Sequence, residues 1–421
     1  MNADASPFTQ LLAIAIASFS CLVILFIFFR DKPWLLLFFS PFCLSPYTLQ
    51  CFSYKFDAPW FALSILTSCA PFFFILQDNK KIQLSSTIIF ILLTLNLYQS
   101  SIGIFLIIFF YSILFYIRGQ KQHFYTPKKY FICLLGFAIA IIIYYLQTKF
   151  VTPVTTEWGN AHAKMIFYEN NPFEILIINM QNYIKYIFLD WDKSIFEYTF
   201  IINSYIIILF SFIMIFKSSD SIHIIIKIII FICIVIFLLF SPYSLQLFLT
   251  SPVWHARTFI ALGCLISFIM IDAITLLPHK SLYKKIIIGL NIYCIFQFIT
   301  IGNIYGNLLV SQSTFENTII PSLTTDLSTL KNQQICQNVS FRNSISYSPA
   351  FENIGRKYPV IYKLIYPRIG NNAHIQDFLK YYGTSIPYTA SEYFDESNVV
   401  REHPTYKISV IPEKTCVIYF K

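Results

Sequence analysis

Charge is scarce in this chain: 12% of its 421 residues are Asp, Glu, Lys or Arg, against about 25% in an ordinary soluble domain. Glycine is also scarce, at eleven residues. No G-x-x-x-x-G-K-[ST], H-E-x-x-H or Gly-rich nucleotide loop occurs, so an ATP-driven transporter or a cytoplasmic nucleotide-sugar enzyme has no motif to rest on. The ten cysteines form no C-x-x-C pair, which removes a zinc ribbon and a thioredoxin-like centre. No metal-ligand set is assigned, no cofactor is certain, and a need for a divalent cation stays open. Met1 to Pro7 lacks a basic region and carries Asp4, so no cleavable signal peptide is expected. Repeats of solenoid period are missing too.

What remains is apolar: 56% hydrophobic and 19% aromatic. Phe8 to Phe29 runs twenty-two residues without a charged side chain, about the length needed to cross a ~30 Å hydrocarbon layer. Similar segments follow at about Trp34–Leu49, Trp60–Leu76, Leu84–Leu97, Ile102–Ile117, Tyr130–Leu146, Tyr198–Phe216, His223–Phe240, Thr258–Leu277 and Ile286–Tyr305. Trp34–Leu49 is broken by Pro41 and Pro46 and reads as kinked or re-entrant. Leu84–Ile117 reads as two short spans or a dipping hairpin.

The net charge of +9 is explained by short basic loops rather than by a nucleic-acid partner. Arg30 with Lys32, Lys80 with Lys81, Arg118 to Lys129, Lys217, and Lys280 to Lys285 fall on one side if the segments alternate. That side is expected to be the cytoplasm. The opposite side receives Ser53–Pro59, Tyr98–Ser101, the stretch Thr148–Glu197, Ser241–Arg257 and everything after Gly306. Within Phe173–Trp191, Glu174, Gln181, Asn182 and Lys185 share a face while apolar residues cover the rest, the pattern of an interfacial helix. From Gly306 the composition turns polar; Val360–Tyr366 and Thr415–Lys421 read as strands and His374–Tyr382 as a helix. The expected architecture is an all-α polytopic membrane domain, residues 1–305, of about nine to ten transmembrane or re-entrant helices, its outer loop 148–197 carrying the interfacial helix. A small α/β domain, residues 306–421, follows on the outer face.

Candidate functional groups are polar residues the fold had little reason to place near a membrane face. Tyr54, Lys55 and Asp57 combine an aromatic ring, a cation and a carboxylate, suited to a sugar, a phosphate and general-base work; a snorkelling lysine and a helix-terminal aspartate explain them equally. Asn96 to Ser101, with Tyr98 and Gln99, suits hydrogen bonding to a sugar ring or the satisfaction of a hairpin's own backbone. Trp254-His255-Ala256-Arg257 places an arginine, a bidentate phosphate reader, on the side where basic residues are otherwise few. A headgroup anchor is its simpler reading. Glu157-Trp158 and Asp190-Trp191-Asp192 add acidic and aromatic groups. Cys336 and Cys416 lie in the polar region and are candidates to pair in an oxidising compartment.

The stretches FSPFCLSPYTLQCFSYKFDAPWFALSILTSCAPFF (Phe39–Phe73), LTLNLYQSSIGIFL (Leu93–Leu106), WHARTFIALG (Trp254–Gly263) and KYPVIYKLIYPRIG (Lys357–Gly370) resemble the type II O-antigen, serotype-converting glucosyltransferases. The SYKFD and LYQSS blocks are the most specific parts. The resemblance implies a GT-C-like enzyme of the bacterial inner membrane with a periplasmic C-terminal domain. It would take glucose from undecaprenyl-phosphate-glucose to a sugar of the lipid-linked O-antigen, among membrane lipids, and depend on a donor-lipid synthase and a flippase. The family's essential carboxylate in an early outer loop makes Asp57 the candidate catalytic base; the polar clusters read above add Tyr54, Lys55, Tyr98, Gln99, Glu157, Trp158, His255 and Arg257 as candidates for substrate binding. Family members carry an extra helix and an acidic loop before the segment matching Ala5-Ser6-Pro7-Phe8, so an upstream carboxylate is the alternative to Asp57. A flippase for a lipid-linked saccharide and an O-antigen polymerase are the rival functions; paired halves, expected of a transporter, are not seen.

Overall fold

The computed structural model describes residues 6–119, 126–153, 156–189, 195–217, 224–278, 280–370, 380–384, 386–389 and 393–421. Two compact units divide the chain, Met1–Gly302 and Asn303–Lys421. The first is helical. Its α1 (Phe8–Phe28) is followed by a 3-10 stretch, α2 (Ser40–Leu44), α3 (Pro46–Ser53) and α4 (Ala58–Ile75). Next come α5 (Lys80–Tyr98), α6 (Ile102–Ile117), α7 (Pro127–Phe150), α8 (Glu157–Ala163) and α9 (Pro172–Ile184). The series continues with α10 (Ile195–Lys217), α11 (Ile224–Phe240), α12 (Leu262–Leu276) and the first part of α13 (Leu282–Asn332), the rest of which belongs to the second unit.

Local chemistry explains the breaks. Ser45 precedes Pro46, which disfavours helical backbone at Ser45; it sits at φ −59°, ψ 144° and its hydroxyl accepts from Thr48 N–H at 3.3 Å, capping α3. The Pro33–Leu44 and Pro46–Ser53 helices meet at 60°. Against this bend packs α12, whose Gly263 lies so close that a Cβ there would meet the Pro41 carbonyl oxygen at 2.6 Å.

Side-chain pairs fix the direction of α5, α6 and α7. Thr87 lies against Gly136, and Asn96 and Gln147 exchange two amide hydrogen bonds (3.2 and 2.6 Å), so α5 ascends with α7. Phe105 stacks on Phe137 and Tyr130 donates to the Ser112 carbonyl at 2.7 Å, so α6 descends against it. The chain therefore reverses at Tyr98–Ser101, where Tyr98 is extended (φ −161°, ψ 106°). Ser101 ties the reversal to α4: its hydroxyl shares a 2.6 Å bond with Ser64 and its carbonyl accepts from Ser68 at 3.0 Å.

Among the described residues, seven helical stretches are long and apolar enough to cross a membrane, eight if the bent pair is one span. One of the seven is the 38-residue stretch Lys80–Ile117, which holds the reversal just described. Ile224–Phe240 is a shorter apolar helix. The expected nine to ten transmembrane or re-entrant helices exceed this count because they take the two arms of Lys80–Ile117 separately and include Ile224–Phe240. Helix α9 falls where an interfacial helix was expected, with Phe173, Ile177 and Ile178 exposed beside Glu174, Gln181 and Asn182, and Asn179 and Tyr183 buried.

The second unit carries a four-stranded sheet in the order β1-β4-β3-β2, from β1 (Asn338–Phe341), β2 (Val399–Glu402), β3 (Tyr406–Ile411) and β4 (Thr415–Phe420). β1 and β4 are parallel and the other pairs antiparallel. Leu323, Leu327 and Leu330 of α13 form one core with Val339, Phe341, Ile408, Ile418 and Phe420. Cys336 and Cys416 are joined by a disulfide, Cα atoms 5.5 Å apart. Two short helices, α14 (Pro349–Gly355) and α15 (Ile361–Leu364), complete the described part. The strand expected over Val360–Tyr366 is thus a helix. Its apolar run is too short to distinguish the two periods, and Pro359 ahead of it favours a helical start. Most of the helix expected over His374–Tyr382 lies outside the described residues.

Candidate functional site

Arg257 is the centre of the site. It stands in a 3-10 turn (Ala256–Phe259) that leads into α12. Its N–H donates to Gln50 Oε1 at 2.6 Å, and its carbonyl accepts from the Cys51 thiol at 3.7 Å. The guanidinium carbon lies 5.0 Å above the Tyr54 ring, a cation–π contact. No carboxylate pairs with Arg257 among the described residues. Its charge is half-buried and opens on a polar cavity of about 340 Å³.

That cavity gathers groups from separate loops: Asn96, Tyr98 and Gln99 at the α5–α6 reversal, Tyr144 of α7, and Gln246 before the arginine turn. Gln99 Nε2 donates to the Tyr144 hydroxyl. The Tyr98 ring meets Phe61 edge-on at 4.6 Å. Among the described residues its buried hydroxyl makes no hydrogen bond of regular geometry, and the Ser100 side chain is the group that acts on it. Gln246 Oε1 accepts from Val253 N–H at 3.4 Å, and the Tyr243 hydroxyl donates to the Val253 carbonyl at 2.9 Å. Below the loop, Tyr243 stacks on Phe259 (4.6 Å) and Trp254 (4.7 Å), and Tyr186 stacks on Phe259 (4.6 Å). This aromatic floor fixes the turn carrying Arg257.

His255 is half-buried, and its imidazole is held below its ordinary pKa by burial first and by Arg257 second. It therefore favours the neutral form at pH 7. The preceding loop is held from the α8 side: His162 Nδ1 bonds the Ser251 carbonyl at 2.6 Å and Thr250 N–H donates to Lys164 O at 2.9 Å.

Lys55 and Asp57 are exposed on the same loop as Tyr54 and do not line the cavity. Asp57 starts α4, but its side chain makes no capping bond; its carbonyl accepts from Trp60 and Phe61 instead. Glu157 and Trp158 belong to α8, with side chains outside the described residues, as are Asp190-Trp191-Asp192 altogether. Of the Asn96–Ser101 cluster, Ser101 serves the fold, while Asn96, Tyr98 and Gln99 face the cavity. Gln50, Tyr144 and Gln246 escaped the sequence reading. Gln50 and Gln246 are lone amides in apolar surroundings, a usable signal; Tyr144 is one of 28 tyrosines and carries none.

Among the described residues, no group of three or more His, Cys, Asp or Glu side chains is placed to hold a metal ion. A larger groove of about 440 Å³ between α1 and α4 is apolar apart from Arg30 and has no group for chemistry beyond it. Chemically, the arrangement suits an anion on Arg257 beside a neutral, hydroxyl-rich ligand in the cavity. Neither a curated protein nor a solved structure matches the chain. A family model does: residues 1–268, more than half of the chain and including every lining residue of the cavity, match the model described as glucosyl transferase GtrII, and the chain belongs to that family.

Proposed function

We propose that this protein transfers glucose from undecaprenyl-phosphate-glucose to a sugar of the lipid-linked O-antigen, at the periplasmic face of the inner membrane. The acceptor hydroxyl attacks the anomeric carbon. The bond from that carbon to the phosphate oxygen breaks, its electron pair stays on the lipid phosphate, and the hydroxyl proton passes to Asp57. The phosphate diester becomes a monoester and gains negative charge, so a cation beside it stabilises the transition state more than the ground state. The observation that carries this reading is Arg257, half-buried over Tyr54, open to a polar cavity and without a carboxylate partner among the described residues. Lys55 adds a second cation on the same loop. Tyr98 and Gln99 hold the glucosyl unit, with Tyr54, Glu157, Trp158 and His255 around the acceptor. The Cys336–Cys416 disulfide supports an oxidising compartment for the C-terminal unit, which would help select the O-antigen.

The test is the sugar composition and linkage of O-antigen in a host that makes the donor lipid, with and without this gene. Glucosylation should appear only with it. Arg257→Ala should lower the transfer rate by about 10²–10³-fold, as loss of one preorganised charge stabiliser does, and Asp57→Asn should abolish transfer at unchanged protein level. Unaltered O-antigen from the wild-type gene overturns the acceptor assignment, and a wild-type rate from Asp57→Asn removes that residue from the chemistry.

A further inference from the structure

Arg257 does not choose its own position. Three residues of one short helix and its end hold it: Gln50 through the backbone N–H (2.6 Å), Cys51 through the carbonyl (3.7 Å) and Tyr54 under the guanidinium (5.0 Å). Gln50 and Tyr54 are four apart and so share a helical face. Gln50 is 2% exposed although it is an amide, and buried amides are kept where they have a bond to make. The 60° break at Ser45–Pro46 is what turns α3 toward the arginine turn.

From this geometry we infer that Gln50 is a positioning residue for the glucosyl transfer, holding the Arg257 backbone so that the guanidinium meets the charge that develops on the departing phosphate. This rests on the role given to Arg257 in the proposed reaction. Gln50 acts through Arg257 and touches no substrate. A rotation at the Arg257 peptide is carried along a long side chain, and misplacement of a charge stabiliser by about 1 Å is enough to cost up to about 10²-fold. The ground state, in which the phosphate carries less charge, is less affected. The loss therefore falls on kcat more than on KM.

The experiment is a double-mutant cycle on the full-length protein in membranes, with the polyprenyl-phosphate-glucose donor and O-antigen acceptor. Gln50→Leu keeps a buried side chain of similar volume and removes the acceptor oxygen; Gln50→Glu keeps an oxygen at the same reach. In the wild-type background Gln50→Leu should lower kcat by about 10- to 100-fold with donor KM changed less than about threefold. Gln50→Glu should recover most of that loss. In the Arg257→Ala background Gln50→Leu should cost less than about twofold, because the group it positions is gone. Membrane level and thermal midpoint of each variant, measured alongside, separate misfolding from mispositioning. If Gln50→Leu is active at the wild-type rate, or costs the same factor with Arg257 absent, the inference is overturned while the proposed reaction stands. A wild-type rate from Arg257→Ala overturns both the arginine's role and this one.

Discussion

At the scale of single residues, the cavity is defined by polar groups whose own bonds are incomplete or shared outward. Tyr98 is the sharpest case. Among the described residues its buried hydroxyl makes no hydrogen bond of regular geometry, a state that costs stability unless something else completes it. Tyr98→Phe keeps the edge-on contact with Phe61 and removes only that hydroxyl. Stability should be unchanged or higher by about 1 kcal/mol, read as the thermal midpoint in detergent, while on the proposed reaction kcat/KM for transfer falls about tenfold, as loss of one hydrogen bond to the glucosyl unit would give. Full activity in this variant, or a clear loss of stability, would assign the hydroxyl to the fold instead. Sequence could single out Tyr98 because it sits among polar neighbours between two apolar runs. It could not find the partners of Arg118, read as one more basic loop residue. Arg118 is buried and bonded through Nη1 to both oxygens of Asp272 (2.8 and 2.7 Å). These residues are 154 positions apart, and no local pattern links them.

At the scale of elements, legibility follows the physics of each signal. Long apolar runs are readable because crossing a hydrocarbon layer sets a length, not a period, and α1, α4, α7 and α12 fall where such runs were drawn. The run Val360–Tyr366 is too short for any such threshold, and its strand-like composition folds as the helix Ile361–Leu364. The segment drawn as ending at Tyr305 belongs to a helix that continues to Asn332, because a change from apolar to polar composition marks a change of surroundings and not of backbone. The polar part of that helix is held by specific bonds. Gln312 and Glu316 lie one turn apart, and the fully buried Glu316 carboxylate accepts from Gln312 Nε2 (3.0 Å), Arg368 N–H (3.0 Å) and Arg368 Nε (2.5 Å). The arginine of the KYPVIYKLIYPRIG motif thus has a structural partner. Arg368→Ala leaves a buried carboxylate without its cation and should destabilise the C-terminal unit by about 2 kcal/mol, less than a wholly buried pair because Arg368 is half exposed. Adding Glu316→Gln should restore part of that loss, since a neutral amide needs no counter-charge. Protease sensitivity of this unit in the intact protein reads both effects; equal resistance of Arg368→Ala and wild type would contradict them.

At the scale of the membrane unit, the directions of the helices separate two chemically distinct ends. Lys129, paired with Asp78 at 3.3 Å, and Gln147, paired with Asn96, mark opposite ends of α7; eighteen residues of helix separate them, about 27 Å. Arg257, in the turn that leads into α12, and Asp272, near the end of α12, are set apart likewise, with Arg257 near the Asn96 end and the Arg118–Asp272 pair at the other. One end therefore holds the cavity, and the other the Lys129–Asp78 and Arg118–Asp272 pairs with Lys80 and Lys128, at a separation close to the ~30 Å of a hydrocarbon core. The positive-inside rule turns this asymmetry into an orientation. Phe56 is 80% exposed on the loop beside Tyr54, and Lys81 is exposed at the opposite end. With a membrane-impermeant thiol reagent, Phe56→Cys should be labelled in spheroplasts and Lys81→Cys only after permeabilisation. The wild-type protein sets the background, because Cys336 and Cys416 are paired and exposed Cys233 lies within apolar α11. Protection of Phe56→Cys together with ready labelling of Lys81→Cys would invert the orientation. The cavity would then face the cytoplasm, and the donor lipid would have to be taken from the inner leaflet before any flipping.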